Sequence, residues 1–222
     1  MIIRLVRLGV LASGTRTGGG SGFENLVSYA RAGNMLGVEI AAVGSNIFGG
    51  GVYERARRLD VPFHFFNRRR PEAADYEKFV KIYRLNYVAL SGYLLPIEGL
   101  DPAKTFNIHP GPLPEFGGIT MYGHYVHEAV MDAYRRGEIL ESAVSMHFVT
   151  ADYDAGPVFF TIPVPIAFKD NAETLQARVN QCEHIWQPWV TQLVVAGQIH
   201  WDGWAPATLK VPEWYRYLRK AR

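Results

Sequence analysis

The sequence predicts an α/β protein, in which a single doubly wound, mostly parallel sheet carries helices on both of its faces. Short apolar runs, the first at residues 5–12 and the next at 38–43, alternate with segments whose apolar residues recur at helical spacing. A glycine-rich loop joins the first apolar run to the first helical segment. A chain of 222 residues is long enough for one good core. We therefore expect one domain at residues 1–203, followed by a C-terminal extension at 204–222 for which no role is predicted.

The remaining elements continue the alternation. Pro163 and Pro165 indicate that the last long strand lies at an edge of the sheet, because proline cannot donate to a ladder. The stretch Asp170-Asn171-Ala172-Glu173 has the pattern of a capping box that opens a long helix. The predicted strands are 5–12, 38–43, 63–66, 87–90, 105–108, 144–150, 158–166 and a small one at 198–201, and the predicted helices are 23–33, 75–85, 121–137 and the long helix after residue 170.

The composition is that of an ordinary soluble globular protein, with nearly half the residues apolar and a fifth charged. The formal net charge of +2 gives no ground for a nucleic acid or a membrane as a partner. Cys182 is the only cysteine, so an internal disulfide is excluded and a reducing cytoplasm is the predicted compartment. Arg4 and Arg7 interrupt the N-terminal apolar run, and no stretch approaches the ~20 apolar residues of a membrane span. The sequence carries no signal for an oligomeric state.

The glycine-rich loop at residues 13–22 leads directly into a helix that begins near Phe23. Free backbone N–H groups and the helix dipole both favour an anion at such a junction, so we expect a phosphate at Gly20-Ser21-Gly22, with Arg16 folding over it. The glycine spacing is not the dinucleotide fingerprint, and Gly44-Ser45-Asn46 stands where a ribose-binding acid would be expected. A loop without any ligand is the alternative interpretation.

A proline-rich run, residues 106–114, is the predicted centre of the chemistry. Its three prolines and one glycine forbid both helix and ladder, so Asn107 and His109 are fixed where a strand ends in a stiff loop. Asn supplies amide donors, and His titrates nearest neutrality. Such a pair suits the binding of a carbonyl oxygen that becomes an oxyanion. The alternative is a turn with a capping Asn and a surface His.

A second segment at residues 147–157 contains Asp154-Ala155-Gly156-Pro157. Together the two segments resemble the folate-dependent formyltransferases, most closely those that act on glycinamide ribonucleotide, in which an Asn-Ile-His-Pro loop and a later Asp-x-Gly-Pro loop form one active site. Asn107, His109 and Asp154 stand at the three catalytic positions of that family. The resemblance covers residues 5–203. It departs from the family's phosphate turn, Gly-Ser-Asn, where Gly22 replaces Asn and about five residues are inserted.

The resemblance also implies the binding residues and the co-substrate. It implies 10-formyltetrahydrofolate as the formyl donor, with no metal. It implies that Gly20, Ser21 and Gly22 bind the phosphate of the acceptor and that Glu183 binds its ribose hydroxyls. Relatives carry an arginine where Leu95 stands, so one polar folate contact is missing. The residues implied to bind the folate are Tyr93, Leu94, Leu95, Asn107, Thr150, Ala151, Asp152 and Tyr153.

The predicted reaction is transfer of the formyl group to the primary amine of glycinamide ribonucleotide, a step of purine biosynthesis. Asn107 and a protonated His109 would hold the oxyanion of a tetrahedral intermediate, and Asp154 would keep His109 charged and assist proton transfer. The alternatives are an amino sugar nucleotide as the acceptor, or water, which would make the protein a deformylase. A non-catalytic nucleotide-binding module leaves the three polar residues without a purpose, and the loop spacing disfavours a nicotinamide dehydrogenase.

One histidine pair deserves a separate interpretation. His124 and His127 lie three residues apart on a predicted helix and could ligate a metal, but no cysteine or acidic partner stands at a suitable spacing. We therefore expect His124 to border the active site, as a histidine near this position does in the relatives.

Overall fold

The computed structural model describes residues 5–215, which form a seven-stranded sheet covered by helices. The strands are β1 (Val6–Leu11), β2 (Val38–Ser45), β3 (Phe63–Phe65), β4 (Tyr87–Ser91), β5 (Thr105–His109), β6 (Glu141–Phe148) and β7 (Val158–Pro165). The helices are α1 (Ser21–Arg31), α2 (Gly51–Arg58), α3 (Ala73–Tyr83), α4 (His124–Arg135) and α5 (Ala172–Val195), with short 3₁₀ turns at Pro102–Lys104 and Pro206–Thr208.

The sheet has the order β3-β2-β1-β4-β5-β6-β7, and the direction of winding reverses between β1 and β4. The first five strands are parallel, so their carboxyl ends share one edge, and the reversal opens a crevice there. The glycine-rich loop after β1 and the loop after β5 both begin at this edge. The predicted fold class is confirmed.

The two faces of the sheet bury separate apolar clusters, because successive side chains of a strand point to opposite faces. Leu8 and Val10 belong to the larger cluster, which also holds buried residues of α1, α4 and α5. Leu11 belongs to the smaller cluster, which includes Tyr76 and Phe79 of α3. Helices therefore cover both faces, as the alternating pattern predicted.

Strands β6 and β7 run antiparallel and close the sheet on the side of β5. In the β5–β6 register, Asn107 lies opposite His147 and His109 lies opposite Ser145. Strand β7 is the last in the order, so the edge position predicted from its prolines is confirmed.

The start of α5 differs from the prediction by one residue. The cap is Asn171, whose side chain accepts from the backbone N–H of Thr174, and the Thr174 hydroxyl accepts from the Asn171 N–H in return. The predicted box of Asp170 and Glu173 is wrong because the Asp170 carboxylate is already used. It accepts two hydrogen bonds from Arg178 and one from the Ala167 N–H.

Other boundaries shift in the same modest way. The helix predicted at 121–137 begins only at His124, after Gly123 with φ 54°. The strand predicted at 144–150 begins at Glu141 and ends at Phe148. The small strand predicted at 198–201 is a single antiparallel bridge between His200 and Lys210.

The described part of the predicted C-terminal extension packs against the edge strand. The Tyr215 ring stacks on Phe160 with a centroid distance of 5.4 Å, and its hydroxyl accepts from the Thr161 N–H at 2.6 Å. The rest of the basic, aromatic tail, residues 216–222, lies outside the described residues. Within residues 5–215, none of the helices combines the length and apolarity needed to cross a membrane.

We expect Asp170→Asn to lower the free energy of unfolding by roughly 1–2 kcal/mol at pH 7, because charge-assisted hydrogen bonds become neutral ones. The Arg178 side chain holds the pKa of Asp170 well below its ordinary 3.8. A carboxylate with a lowered folded-state pKa stabilises the fold above its unfolded-state pKa and loses that effect in acid. The difference between wild type and variant in urea unfolding should therefore shrink below about pH 3.8.

The matched control is Asp132→Asn, which removes an exposed ion pair with Arg135. Exposed pairs contribute less than about 1 kcal/mol, so this variant should unfold nearly as wild type does. Equal losses in the two variants would contradict the role assigned to Asp170.

Candidate active site

A cavity of about 640 Å³ lies at the carboxyl ends of β1, β4 and β5, within the size range of small-molecule sites. The structure brings most of the sequence-predicted residues to it, and the others line an adjoining cavity of about 50 Å³ that shares Tyr93, Asn107, Tyr153 and Asp154 with the first. The large cavity is lined by Gly20, Ser21, Gly22, Tyr93, Leu94, Asn107, His109, Tyr153, Asp154 and Glu183, and the small one by Leu95, Thr150, Ala151 and Asp152.

The end of β5 positions Asn107 and His109 on one face, since residues two apart on a strand share a face. His109 is 3% exposed. The loop that follows is held by the Ser145 hydroxyl, which donates to the Gly111 carbonyl at 2.8 Å. Asn107 and His109 thus stand where the strand ends in a proline-rich loop, as the sequence predicted.

Asp154 reaches these residues from the loop between β6 and β7. Its Oδ2 lies 3.6 Å from His109 Nδ1 and accepts from the Gly118 N–H at 3.0 Å. The loop can turn so tightly because residue 156 is glycine: a Cβ there would lie 1.8 Å from the Phe148 carbonyl oxygen. Asn107, His109 and Asp154 therefore converge although they lie on two distant segments.

His147 is the member of this cluster that the sequence analysis missed. Its Nε2 lies 3.1 Å from Asn107 Nδ2 and 3.3 Å from Asp154 Oδ1. Its Nδ1 lies 2.9 Å from the Phe148 carbonyl, which accepts only, so Nδ1 carries a proton. Nε2 accepts from the Asn107 amide in the neutral ring and donates to the Asp154 carboxylate in the imidazolium. The signal was the alternation that places His147 and Ser145 on one face of β6, opposite Asn107 and His109.

The protonation of His109 differs from the expectation. Burial lowers its pKa by more than the Asp154 carboxylate and the Phe116 carbonyl raise it. His109 Nε2 lies 2.8 Å from the Phe116 carbonyl oxygen, which accepts only, so Nε2 carries a proton. The expected imidazolium is thus disfavoured by desolvation, and neutral His109 is the Nε2–H tautomer.

Asp154 remains ionised in the same surroundings. Burial raises the pKa of its carboxyl group, but His147, His109 and the Gly118 N–H together outweigh burial and bring the pKa below its ordinary value. The cluster therefore combines a carboxylate with two imidazoles that face it.

The opposite end of the cavity is the N-terminus of α1. Its cap is Gly20, with φ 79°, and no side chain caps the helix. The first intrahelical bond runs from the Glu24 N–H to the Gly20 carbonyl, so the N–H groups of residues 21–23 have no acceptor within the helix. This geometry suits an anion, as predicted from the sequence.

The inserted part of the loop folds away from this end. Its turn closes with the Thr15 N–H donating to the Gly18 carbonyl, and it docks on α2 where the Gly51 N–H donates to the Thr15 carbonyl. Arg55 Nε donates to the Gly19 carbonyl at 2.8 Å. The expectation for Arg16 is wrong, because it lines a separate cleft beside α2 and not the large cavity.

Glu183 lines the same cavity from α5. Its Oε2 accepts from Asn180 Nδ2 at 3.2 Å. Burial raises the pKa of Glu183 to about 7, against the lowering effect of that hydrogen bond. Its carboxyl group therefore titrates near neutral pH.

On α4 the histidine that lines the cavity is His127, and not His124 as expected. Burial lowers the pKa of His127 to about 4. His124 lies at the more exposed start of α4, with its Nε2 3.4 Å from Glu128 and 3.6 Å from Glu173. Among residues 5–215, no group of three or more His, Cys, Asp or Glu side chains is arranged to hold a metal ion.

Two tyrosines, Tyr93 and Tyr153, line the small cavity. The Tyr93 ring packs with Tyr76, and the two hydroxyls lie 3.0 Å apart. Burial raises the pKa of the Tyr93 hydroxyl far above its ordinary value. The Tyr153 hydroxyl lies 3.5 Å from the Leu94 carbonyl oxygen and so bridges two of the predicted folate-binding segments.

Comparison with known proteins relates the chain to one family. Residues 7–191 match the family described as formyl transferase. The chain is 32% identical over 209 residues to "Phosphoribosylglycinamide formyltransferase, chloroplastic" of Vigna unguiculata, covering 90% of this chain and 64% of that protein. It therefore spans less than two thirds of the length of that plant relative.

Two solved structures have the same fold over nearly their whole length. Glycinamide ribonucleotide transformylase 1 from Geobacillus kaustophilus is 32% identical, with a TM-score of 0.71, and the match covers 86% of this chain and 99% of that one. The corresponding protein from Symbiobacterium toebii is 28% identical, with a TM-score of 0.78, and the coverage is 94% and 95%.

We expect Asp154→Asn to lower the pKa of His109 further, because the carboxylate is the charge that opposes burial. The measurement is an NMR titration of the imidazole resonances. Asp152→Asn, on an exposed position of the same loop, is the control and should leave the His109 titration unchanged. A His109 pKa that stays constant or rises in Asp154→Asn would contradict the electrostatic account of the cluster.

Proposed function

Because the chain belongs to the formyl transferase family, we propose that it transfers the formyl group of 10-formyltetrahydrofolate to the primary amine of glycinamide ribonucleotide, a step of purine biosynthesis. The observation that carries the proposal is that one cavity joins the Asn107, His109 and Asp154 cluster to the start of α1 and to Glu183. Oxyanion donors, a phosphate site and a sugar-binding carboxylate are the groups that this reaction needs. We further propose residues 1–203 as the catalytic domain and 204–222 as an extension without an assigned role.

In the proposed reaction the neutral amine attacks the formyl carbon and gives a tetrahedral intermediate with one oxyanion. His109 Nε2–H and the Asn107 amide are the donors for that oxygen. Nε2 now faces the Phe116 carbonyl, and Asn107 Nδ2 lies 3.4 Å from Asp154 Oδ1. The substrate oxygen must therefore displace the Phe116 carbonyl from His109 and draw the Asn107 amide toward itself.

Asp154 serves the proton transfer in this scheme. The attacking nitrogen becomes cationic, and its proton must reach N10 of the folate before the C–N10 bond breaks and tetrahydrofolate leaves. A carboxylate ionised at neutral pH accepts hydrogen bonds from the cationic nitrogen and passes the proton on, directly or through a water molecule. His109 becomes more basic as the oxyanion forms beside it, because opposite charges stabilise each other.

The folate is the co-substrate, and the small cavity beside the cluster is the proposed start of its site. A volume of about 50 Å³ is too small for a pterin ring, so Tyr153 must move away from the Leu94 carbonyl to admit it. The backbone of residues 93–95 and 150–153 then surrounds the ring. This binding mode needs no arginine at Leu95.

The acceptor is proposed to bind between two anchors. The N–H groups at the start of α1 bind its phosphate, and Glu183 accepts from its ribose hydroxyls. Two fixed anchors orient the amine toward the formyl carbon, which lowers the entropic part of the barrier. Water as the acceptor would use neither anchor, and an amino sugar nucleotide would use them differently. We propose small molecules as the only partners, and the cytoplasm remains the predicted compartment.

We expect tetrahydrofolate to be released from 10-formyltetrahydrofolate only when glycinamide ribonucleotide is present. The start of α1 and Glu183 bind the phosphate and the ribose of that molecule, and so hold its amine against the formyl carbon. The measurement compares release with and without the amine. Equal release in both would identify a deformylase. Release only with an amino sugar nucleotide would keep the chemistry and replace the acceptor.

Within that assay, His109→Ala should lower kcat at least about a hundredfold, since it removes an oxyanion donor. His200→Ala is the control: it removes an exposed histidine outside the cavity and should leave kcat unchanged. A near-normal rate in His109→Ala would argue against the proposed mechanism.

We expect the KM for glycinamide ribonucleotide to fall as the pH rises through about 7, because Glu183 becomes a carboxylate that accepts two ribose hydrogen bonds. In Glu183→Gln the KM should be higher and this component of its pH dependence should vanish, while the KM for the folate stays the same. The comparison of the two profiles separates Glu183 from the titration of the substrate itself. Identical profiles in wild type and variant would contradict the assignment.

A further inference from the structure

The corner of the cavity at Gly22 departs from the phosphate turn of the related enzymes, which has Asn at this position. A Cβ on Gly22 would lie 2.2 Å from Ser91 Oγ and 3.0 Å from Gln187 Oε1. No side chain therefore fits on residue 22 while Ser91 and Gln187 stand where they do. The side chains of Ser91 on β4 and Gln187 on α5 occupy the space beside residue 22, where the related enzymes have the side chain of Asn.

The side-chain amide of Gln187 has a hydrogen-bond partner for its oxygen but none for its nitrogen among the described residues. The Ser91 hydroxyl donates to Gln187 Oε1 at 3.3 Å, which directs the amide oxygen toward β4. The side chain is 1% exposed, and its Nε2 has no hydrogen-bond partner among the described residues. Burying an amide N–H₂ without a partner costs free energy, so this donor calls for an acceptor such as a water molecule, an ion or a ligand oxygen.

The surroundings indicate the charge of that ligand. Gln187 lines the large cavity together with Gly20, Ser21 and Gly22. The backbone N–H groups at this helix start are donors without intrahelical acceptors, and the α1 dipole places positive potential there. The His184 imidazole also reaches the corner, with Nε2 3.2 Å from Ser21 Oγ. A cluster of donors that share one space suits an acceptor with several oxygens and a negative charge.

We propose that Gln187 Nε2 donates to a phosphate oxygen of the acceptor substrate, and that this contact makes Gln187 a specificity-determining residue for phosphorylated acceptors. The proposal rests on the proposed function for the identity of the substrate. Glu183 lies one helical turn earlier on the same face of α5, so the two side chains address neighbouring groups of one ligand. Gln187 selects the phosphate, and Glu183 binds the sugar.

The test measures binding of ribose 5-phosphate and of ribose by calorimetry, with no formyl donor present. We expect wild type to bind ribose 5-phosphate more tightly than ribose. Gln187→Met keeps the shape of the side chain but removes the donor, so it should weaken ribose 5-phosphate at least about tenfold, as expected for a hydrogen bond to a charged group. Gln181→Met, at an exposed position of the same helix, is the control and should bind as wild type does.

Thermal unfolding separates a ligand contact from a structural role. Replacing an unsatisfied buried amide by an apolar side chain of similar shape should leave the melting temperature equal or higher. A lower melting temperature with unchanged affinity for ribose 5-phosphate would overturn the proposal. So would a wild type that binds ribose 5-phosphate no better than ribose.

A rescue completes the test. Removing both replacement side chains in Ser91→Ala with Gln187→Ala opens the space beside residue 22, and adding Gly22→Asn then restores the family's turn. We expect the triple variant to bind ribose 5-phosphate more tightly than the double variant, and no gain would count against the proposed exchange of roles.

The phosphate contact and the proposed reaction can fail independently. If these binding results are obtained but glycinamide ribonucleotide is not formylated, the phosphate contact is supported and the proposed reaction is wrong. If glycinamide ribonucleotide is formylated but Gln187→Met binds ribose 5-phosphate as tightly as wild type, the reaction is supported and the phosphate contact is wrong.

Discussion

The partly buried carboxylate of Asp154 is the constraint on which the rest of the site depends. A charge removed from water is stable only when it is paired and hydrogen-bonded. Here the Gly118 N–H donates to it, and the imidazoles of His109 at the end of β5 and His147 at the end of β6 face it and pair with it as cations. These contacts outweigh burial in setting the pKa of Asp154. The close approach of Gly156 to the Phe148 carbonyl delivers the carboxylate to this position.

Burial and charge act in opposite directions on the neighbouring imidazole. Burial lowers the pKa of His109, and Asp154 raises it by less. A further negative charge at the other nitrogen of His109 raises the pKa of the ring, because it stabilises the imidazolium. In the proposed reaction this happens when the oxyanion develops, so the stabilisation is larger in the transition state than in the ground state, as catalysis requires.

The glycine-rich loop contacts the start of α2 and leads into the start of α1. The inserted turn uses the start of α2, where the Gly51 N–H donates to Thr15, and a Cβ on Gly51 would lie 2.3 Å from the Gly18 carbonyl oxygen. The N–H groups at the start of α1 stay available to a ligand because the turn docks elsewhere. An insertion that interrupts a binding motif in the sequence therefore leaves the anion end of the cavity open.

The sequence by itself determined the α/β fold, the edge position of β7 and the position of Asn107 and His109 at the end of a strand. Each follows from a local rule: the period of a strand, the missing N–H of proline or the alternation of strand and helix. It also predicted Asp154 at the site, through a family motif. Only the tertiary structure decided that His147 joins the cluster, that burial lowers the pKa of His109, and that Gln187 fills the corner beside residue 22. These features depend on desolvation and on distances between segments far apart in the chain, and no local pattern of residues encodes either quantity.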